Sequence, residues 1–149
     1  KISDALIGDN DSIFRQALTF GGNPASCAAG LANLEIIERE NLVENSAKIG
    51  DYLFDRLQSL YDHRIVGDVR GGKGLLCAVE LVKDRDSREP FPKEINMSKK
   101  LQPFMVKHGL LGRAGNIIFL APPLTVTKGD IDYLVERLDR VIGEVEETL

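Results

Sequence analysis

The sequence predicts an α+β fold, with helices packed on a small, largely antiparallel sheet. Three observations carry that prediction. Apolar residues recur every three or four positions from Leu42 to Leu60 and from Ile131 to Val145, as on helices with a core-facing stripe. Between them lie short apolar runs bounded by glycine and proline, which read as strands and turns. From Leu42 onward the order is helix, two strands, helix, two strands, helix, a layer of helices over one sheet.

Taken in order, Ile2 to Ile7 suits a helical turn and Gly8-Asp9-Asn10-Asp11 a loop. Gly21-Gly22-Asn23-Pro24 is a turn, and Pro24 suits the first position of a helix. That helix, about Pro24 to Arg39, is apolar nearly all round until Ile37, a pattern normally buried on most sides. Asn41 offers a side-chain cap for the next helix, with Glu44 placed to reciprocate. Its stripe is Leu42, Ser46, Ile49, Leu53, Leu57 and Leu60, ending near Tyr61.

Ile65, Val66 and Val69 lead into Gly71-Gly72-Lys73-Gly74, followed by the apolar run Leu75 to Val82, so two strands meet at a glycine-rich bend. Lys83 to Pro92 is charged and proline-bearing, and is expected as an exposed loop. A helix follows with Met97, Leu101, Phe104, Met105 and His108 on one face. Gly109 suits its C-terminal end, and Pro103 predicts a kink or restart within it. Leu110-Leu111 and Ile117 to Leu120 read as short strands around Gly112-Arg113-Ala114-Gly115-Asn116. Thr127 with Asp130 forms a capping box for the last helix.

With 149 residues, net charge −4, 43% hydrophobic and 28% charged residues, the profile is that of a soluble globular chain. No basic face stands out against 23 acidic residues, which argues against a nucleic-acid partner. No run approaches the ~18 apolar residues of a membrane span. Cys27 and Cys77 lie in apolar surroundings, and buried free thiols of a reducing compartment are a better reading than a disulfide. A cytoplasmic location is the default. The chain starts at Lys1 without an initiator methionine, as a fragment or a processed chain would.

The sequence holds few catalytic candidates. His63 and His108 have no Cys, Asp or Glu at ligand spacing, so no metal site is expected. Gly71-Gly72-Lys73-Gly74 lacks the spacing of dinucleotide or triphosphate loops and reads as a tight bend. Thr19, before a glycine turn and a helix start, can offer its hydroxyl and nearby N–H groups to a phosphate. Taken alone it reads more simply as a loop threonine. Arg113, at the tip of a turn, can bind a carboxylate with its planar fork, though a hairpin surface arginine is the commoner case. Arg70, beside the glycines, is expected in an ion pair rather than on a ligand.

The segment Thr19-Phe20-Gly21-Gly22-Asn23-Pro24-Ala25-Ser26-Cys27-Ala28-Ala29 resembles the Thr-(Tyr/Phe)-x-Gly-(Asn/His)-Pro-x-x-Cys-Ala block of class III aminotransferases, the omega-amino acid:pyruvate type. The continuation Leu31 to Glu38 is similar to the same family. So are Asp68-Val69-Arg70-Gly71 with Gly74-Leu75, Gly109-Leu110-Leu111 with Arg113, and Ala121-Pro122-Pro123-Leu124. These blocks keep the family's order, with one extra glycine before Lys73.

The resemblance implies a part of a fold-type I, pyridoxal 5'-phosphate-dependent transferase. Residues 1–40 would end the large cofactor domain, and residues 41–149 would form the small C-terminal domain. It implies a homodimer in which Thr19 bonds the cofactor phosphate of the neighbouring subunit. It implies that Arg113 binds the substrate carboxylate, the substrates being an amine or omega-amino acid and a 2-oxo acid such as pyruvate. Arg70 would support the site structurally. The Schiff-base lysine would lie upstream of Lys1, and no lysine here fits that position, so the chain alone is expected not to transaminate. An isolated chain would expose apolar surface from Pro24 to Ile37 and self-associate, or lose order, there. The alternative is a non-catalytic α+β ligand-binding or dimerisation module.

Overall fold

The computed structural model describes residues 18–149. The expected helical turn at Ile2–Ile7 and loop at Gly8–Asp11 lie outside the described residues. The described residues fall in two units divided between Ile36 and Ile37.

Helix α1 runs Pro24–Arg39. Asn23 starts it: its side-chain Oδ1 accepts the Ser26 N–H at 3.2 Å, and its carbonyl accepts the Cys27 N–H at 2.9 Å. Pro24 follows with a ring already set for helical φ. An apolar helix is expected to be buried, yet none of the residues of α1 is. Cys27 is therefore exposed rather than buried, which corrects the expectation for that thiol. An apolar sequence neighbourhood buries a side chain only when another surface covers it.

Within residues 37–149, α2 (Leu42–Leu57) follows α1 with two residues between them. Asn41 takes up the reversal in the left-handed region, at φ 51 and ψ 41, and its side chain makes no capping bond. The expected capping box with Glu44 is absent for that reason. Asn41 serves through its tolerance of positive φ, and its backbone carbonyl accepts the Asn45 N–H instead. A 3₁₀ segment, Gln58–Asp62, continues α2 and brings Leu60 into the core.

Strand β1 (Val66–Arg70) pairs antiparallel with β2 (Cys77–Asp84), joined by the glycine bend. That bend is pressed against α2. A Cβ built on Gly50 would lie 2.3 Å from the backbone carbonyl of Gly74, whose own φ is +71. Both positions therefore demand glycine, one for closeness and one for conformation. The segment expected as a loop, Lys83 to Pro92, is instead a short hairpin: β2 runs on to Asp84, and β3 (Glu89–Pro90) pairs back on it. Phe91, next in line, is buried.

Helix α3 (Met97–Lys107) runs unbroken through Pro103. Pro103 and Lys99 are both exposed, so the carbonyl that loses its partner can turn to water. The helix ends as expected at Gly109, with φ 72. The Gly109 N–H bonds the Val106 carbonyl and the Leu110 N–H bonds that of Met105, closing the last turn. Leu110-Leu111 forms no strand, because Leu110 is consumed by this cap. Strand β4 (Ile117–Leu120) pairs antiparallel with β2, and α4 (Lys128–Glu146) closes the chain behind the expected Thr127/Asp130 capping box.

Strand β2 is thus central, and register sorts its faces. Val69, Val79 and Ile118 lie abreast and buried, facing the helices. The rows Asp68–Glu80–Ile117 and Arg70–Ala78–Phe119 face the other way. Leu53, Leu57, Leu101, Ile131, Leu138 and Ile142 complete one hydrophobic core with that inner face. Each such fully buried side chain contributes about 1.5–3 kcal/mol. This is the α+β arrangement of helices on a small antiparallel sheet.

Candidate functional site

Arg113 lies on the seven-residue segment between the cap of α3 and the start of β4. The segment is pinned at both ends. Leu110 packs against the core at its head, and Ala114 is buried near its tail. The Phe119 N–H reaches the Arg113 carbonyl at 3.4 Å. Between these anchors the side chains of Leu111 and Arg113 are thrown outward, Leu111 to 90% exposure. The Arg113 guanidinium makes no ion pair with another described residue. Most of the other described arginines are engaged: Arg56 with Asp132, Arg64 with Glu146 and Arg140 with Glu136. A free planar fork on a braced loop suits a bidentate carboxylate.

Thr19 belongs to the other unit. It is exposed in the turn that the Gly21 N–H closes on the Leu18 carbonyl. The helix start beside it is partly satisfied from within, since Asn23 accepts from both Ser26 and Cys27 and Pro24 has no N–H. Of the nearby N–H groups, those of Gly21, Ser26 and Cys27 are engaged within the chain.

Arg70 is found in the expected ion pair. Its guanidinium donates to Asp68 at 3.0 Å and to Glu80, and Glu80 chiefly raises it above the ordinary arginine value. With Gly67, Val82 and Arg88 these three line a shallow polar cleft of about 230 Å³ on the outer sheet face. The two histidines do meet carboxylates, though from elements distant in sequence. His63 stands 2.8 Å from Asp139 and 3.4 Å from Glu146, and His108 stands 2.9 Å from Glu144. All three acids lie on α4, and these contacts tie that helix down.

Among the described residues no group of three or more His, Cys, Asp or Glu is placed to hold a metal ion, and no helix is long and apolar enough to cross a membrane. Cys77 is buried, and desolvation pushes its thiol up despite a bond from the Gly72 backbone. Among the described lysines none is buried. Lys83 pairs with Glu89, Lys107 with Glu144, and Lys128 lies over the Tyr52 ring. A lysine activated for Schiff-base chemistry needs desolvation or a cationic neighbour.

One residue of this neighbourhood gave no local signal in the sequence. Asn116 reads as a turn residue, yet its side-chain Nδ2 donates to the Phe91 carbonyl, 25 positions away, at 3.3 Å.

Comparison with known proteins gives a consistent picture. The family model of class-III aminotransferases matches residues 2–142. The taurine–pyruvate aminotransferase of Bilophila wadsworthia is 42% identical over 146 residues, covering 93% of this chain and 32% of that protein. A mitochondrial alanine–glyoxylate aminotransferase 2 homolog of Arabidopsis thaliana is 46% identical over 123 residues, covering 81% of this chain and 26% of that protein. Among solved structures, an (S)-enantioselective omega-transaminase from Thermomicrobium roseum superposes with TM-score 0.84 at 38% identity, over 89% of this chain and 30% of that one. The omega-transaminase of Pseudomonas jessenii in complex with PMP gives 0.81 at 37% identity, over 89% and 29%. The chain spans 26–32% of the length of these relatives. On the order of its motifs, its fold and these likenesses together, the chain belongs to the class-III aminotransferase family.

Proposed function

We propose that this chain is the substrate-recognition part of a pyridoxal-phosphate-dependent aminotransferase. The whole enzyme moves an amino group from an amine or omega-amino acid to a 2-oxo acid such as pyruvate. Arg113 carries the reading: its guanidinium, unpaired among the described residues, stands on a segment anchored at both ends. It binds the carboxylate of the 2-oxo acid, and its fork fixes the orientation of the carbon to be aminated. The pyruvate named for the Bilophila relative supports that acceptor class.

In the same reading Thr19 donates its hydroxyl to the cofactor phosphate in the partner subunit of a homodimer. The cofactor, when bound, supplies the electron sink for amino transfer. Residues 1–40 close the large domain, residues 41–149 form the small one, and the enzyme works in the cytoplasm.

The test is Arg113→Ala in the full-length enzyme, with pyruvate and propanal compared as acceptors of the same amine donor. Loss of one bidentate carboxylate contact is expected to lower kcat/KM for pyruvate about a hundredfold. The aldehyde, which has no carboxylate, is expected to hold within a few-fold. Equal losses on both acceptors would remove the carboxylate role.

A further inference from the structure

Asn116 stands where three pieces of residues 37–149 meet. Its carbonyl accepts the Leu81 N–H at 2.7 Å, which extends the β2–β4 ladder one step beyond Ile117. Its side chain turns the other way, to the Phe91 carbonyl at 3.3 Å. A carbonyl only accepts, so the group that faces it is the amide nitrogen. Phe91 is 7% exposed and belongs to the core, immediately after β3. Pro90 of β3 is in turn held beside Val82 of β2. Asn116 thus bolts the tail of the Arg113 segment to the core by way of the return hairpin.

The segment has few other holds. Its head is fixed by the helix cap at Gly109 and Leu110, and the stretch just after Arg113 by the buried Ala114. The bond from the Phe119 N–H to the Arg113 carbonyl is long, at 3.4 Å. Without the Asn116 amide the tail would keep only backbone pairing with β2, and the Phe91 carbonyl would lose its donor. A bidentate contact is steep in position, since displacement by ~1 Å can cost a hundredfold in rate.

We infer that Asn116 is a positioning residue for Arg113: it sets where the guanidinium stands by tying the segment to Phe91. The inference rests on the carboxylate role proposed for Arg113. It also gives the Lys83–Pro92 hairpin, otherwise a charged surface excursion, a part in acceptor selectivity.

The experiment uses the full-length enzyme with Asn116→Ala and Asn116→Asp, each alone and combined with Arg113→Ala. Either variant suffices should the other fail to fold, a point read from its thermal midpoint. Asn116→Asp removes the donor and sets a second acceptor against the carbonyl. Acceptors are pyruvate and propanal. With Arg113 in place, kcat/KM for pyruvate is expected to fall about tenfold, mainly through KM, while propanal changes less than about twofold. In the Arg113→Ala background the pyruvate effect is expected to vanish. A purely structural residue would lower both acceptors alike in both backgrounds, and that result overturns the inference. So does the absence of any loss. If Arg113→Ala alone fails to separate the two acceptors, the carboxylate reading itself falls. If it separates them and Asn116 does not, only the positioning role falls.

Discussion

Cys27 and Cys77 sit in similar apolar sequence surroundings and end in opposite environments, one exposed on α1 and one sealed behind the glycine bend. A thiol-labelling reagent applied to the native chain is expected to modify Cys27 and spare Cys77 until denaturant is added. Mass spectrometry of the labelled peptides reads this, and early labelling of Cys77 would contradict the packing of the bend.

Gly50 makes a sharper case at the same scale. An added Cβ meets the carbonyl carbon and oxygen of Gly74 at 2.3 Å, and backbone cannot swing aside as a side chain can. Alanine's better helix propensity is worth at most about 1 kcal/mol and does not offset that overlap. Gly50→Ala is therefore expected to destabilise by about 2 kcal/mol, lowering Tm by roughly 8 °C. Gly30→Ala, where a Cβ would meet nothing within 4 Å, is the control and should not lower Tm. Equal Tm values for the two variants would refute the close approach. Neither Gly50 nor Asn116 announced its role in the sequence. A glycine within a helix pattern and an asparagine in a turn pattern are ordinary, and what makes them special is a partner 24 and 25 positions away.

Among elements, those whose reason is local were legible. The stripe of α4 and its Thr127/Asp130 box, the end of α3 at Gly109 and the pairing of β1 with β2 all follow from residues within a few positions of one another. Asn41 and the β3 return were not, because tertiary geometry chose between options the local sequence left open. Asn41 could cap or turn, and the tight α1–α2 junction made it turn.

Helix α4 also concentrates the acid sensitivity of residues 37–149. Asp130 is held below the ordinary carboxylate value by Thr127, Asp132 by the Tyr52 hydroxyl and then Arg56, and Glu144 by Lys107 and then His108. A carboxylate with a depressed folded value binds fewer protons folded than unfolded. Its contribution is present above the ordinary value and is lost as pH falls through about 4 and below. Stability is therefore expected to drop between pH 5 and pH 3, as read by thermal melts. Asp132→Asn should lower Tm at pH 7 and flatten that acid slope. A wild-type Tm that stays level over the same range would count against these α4 contacts.

At the scale of the whole molecule, the chain spans about a third of its relatives, and its groups are unevenly distributed in kind. Arg113 is proposed for a carboxylate and Thr19 for a phosphate, while none of the chain's described lysines is buried. Family membership was legible because five motif blocks keep one order along the chain. The roles proposed for Thr19 and Arg113 come only through that resemblance, since each is an ordinary loop residue by its own surroundings. The exposed state of α1 was not legible from its pattern alone, because an apolar helix records a need for cover and not its provider.

The most direct test of this division of labour uses the 149-residue chain itself, incubated with pyridoxal phosphate, an amine panel and pyruvate, then reduced with borohydride and mapped by mass spectrometry. No alanine is expected to form, and no single lysine to be labelled in stoichiometric amount. Turnover together with one stoichiometrically labelled lysine would contradict it.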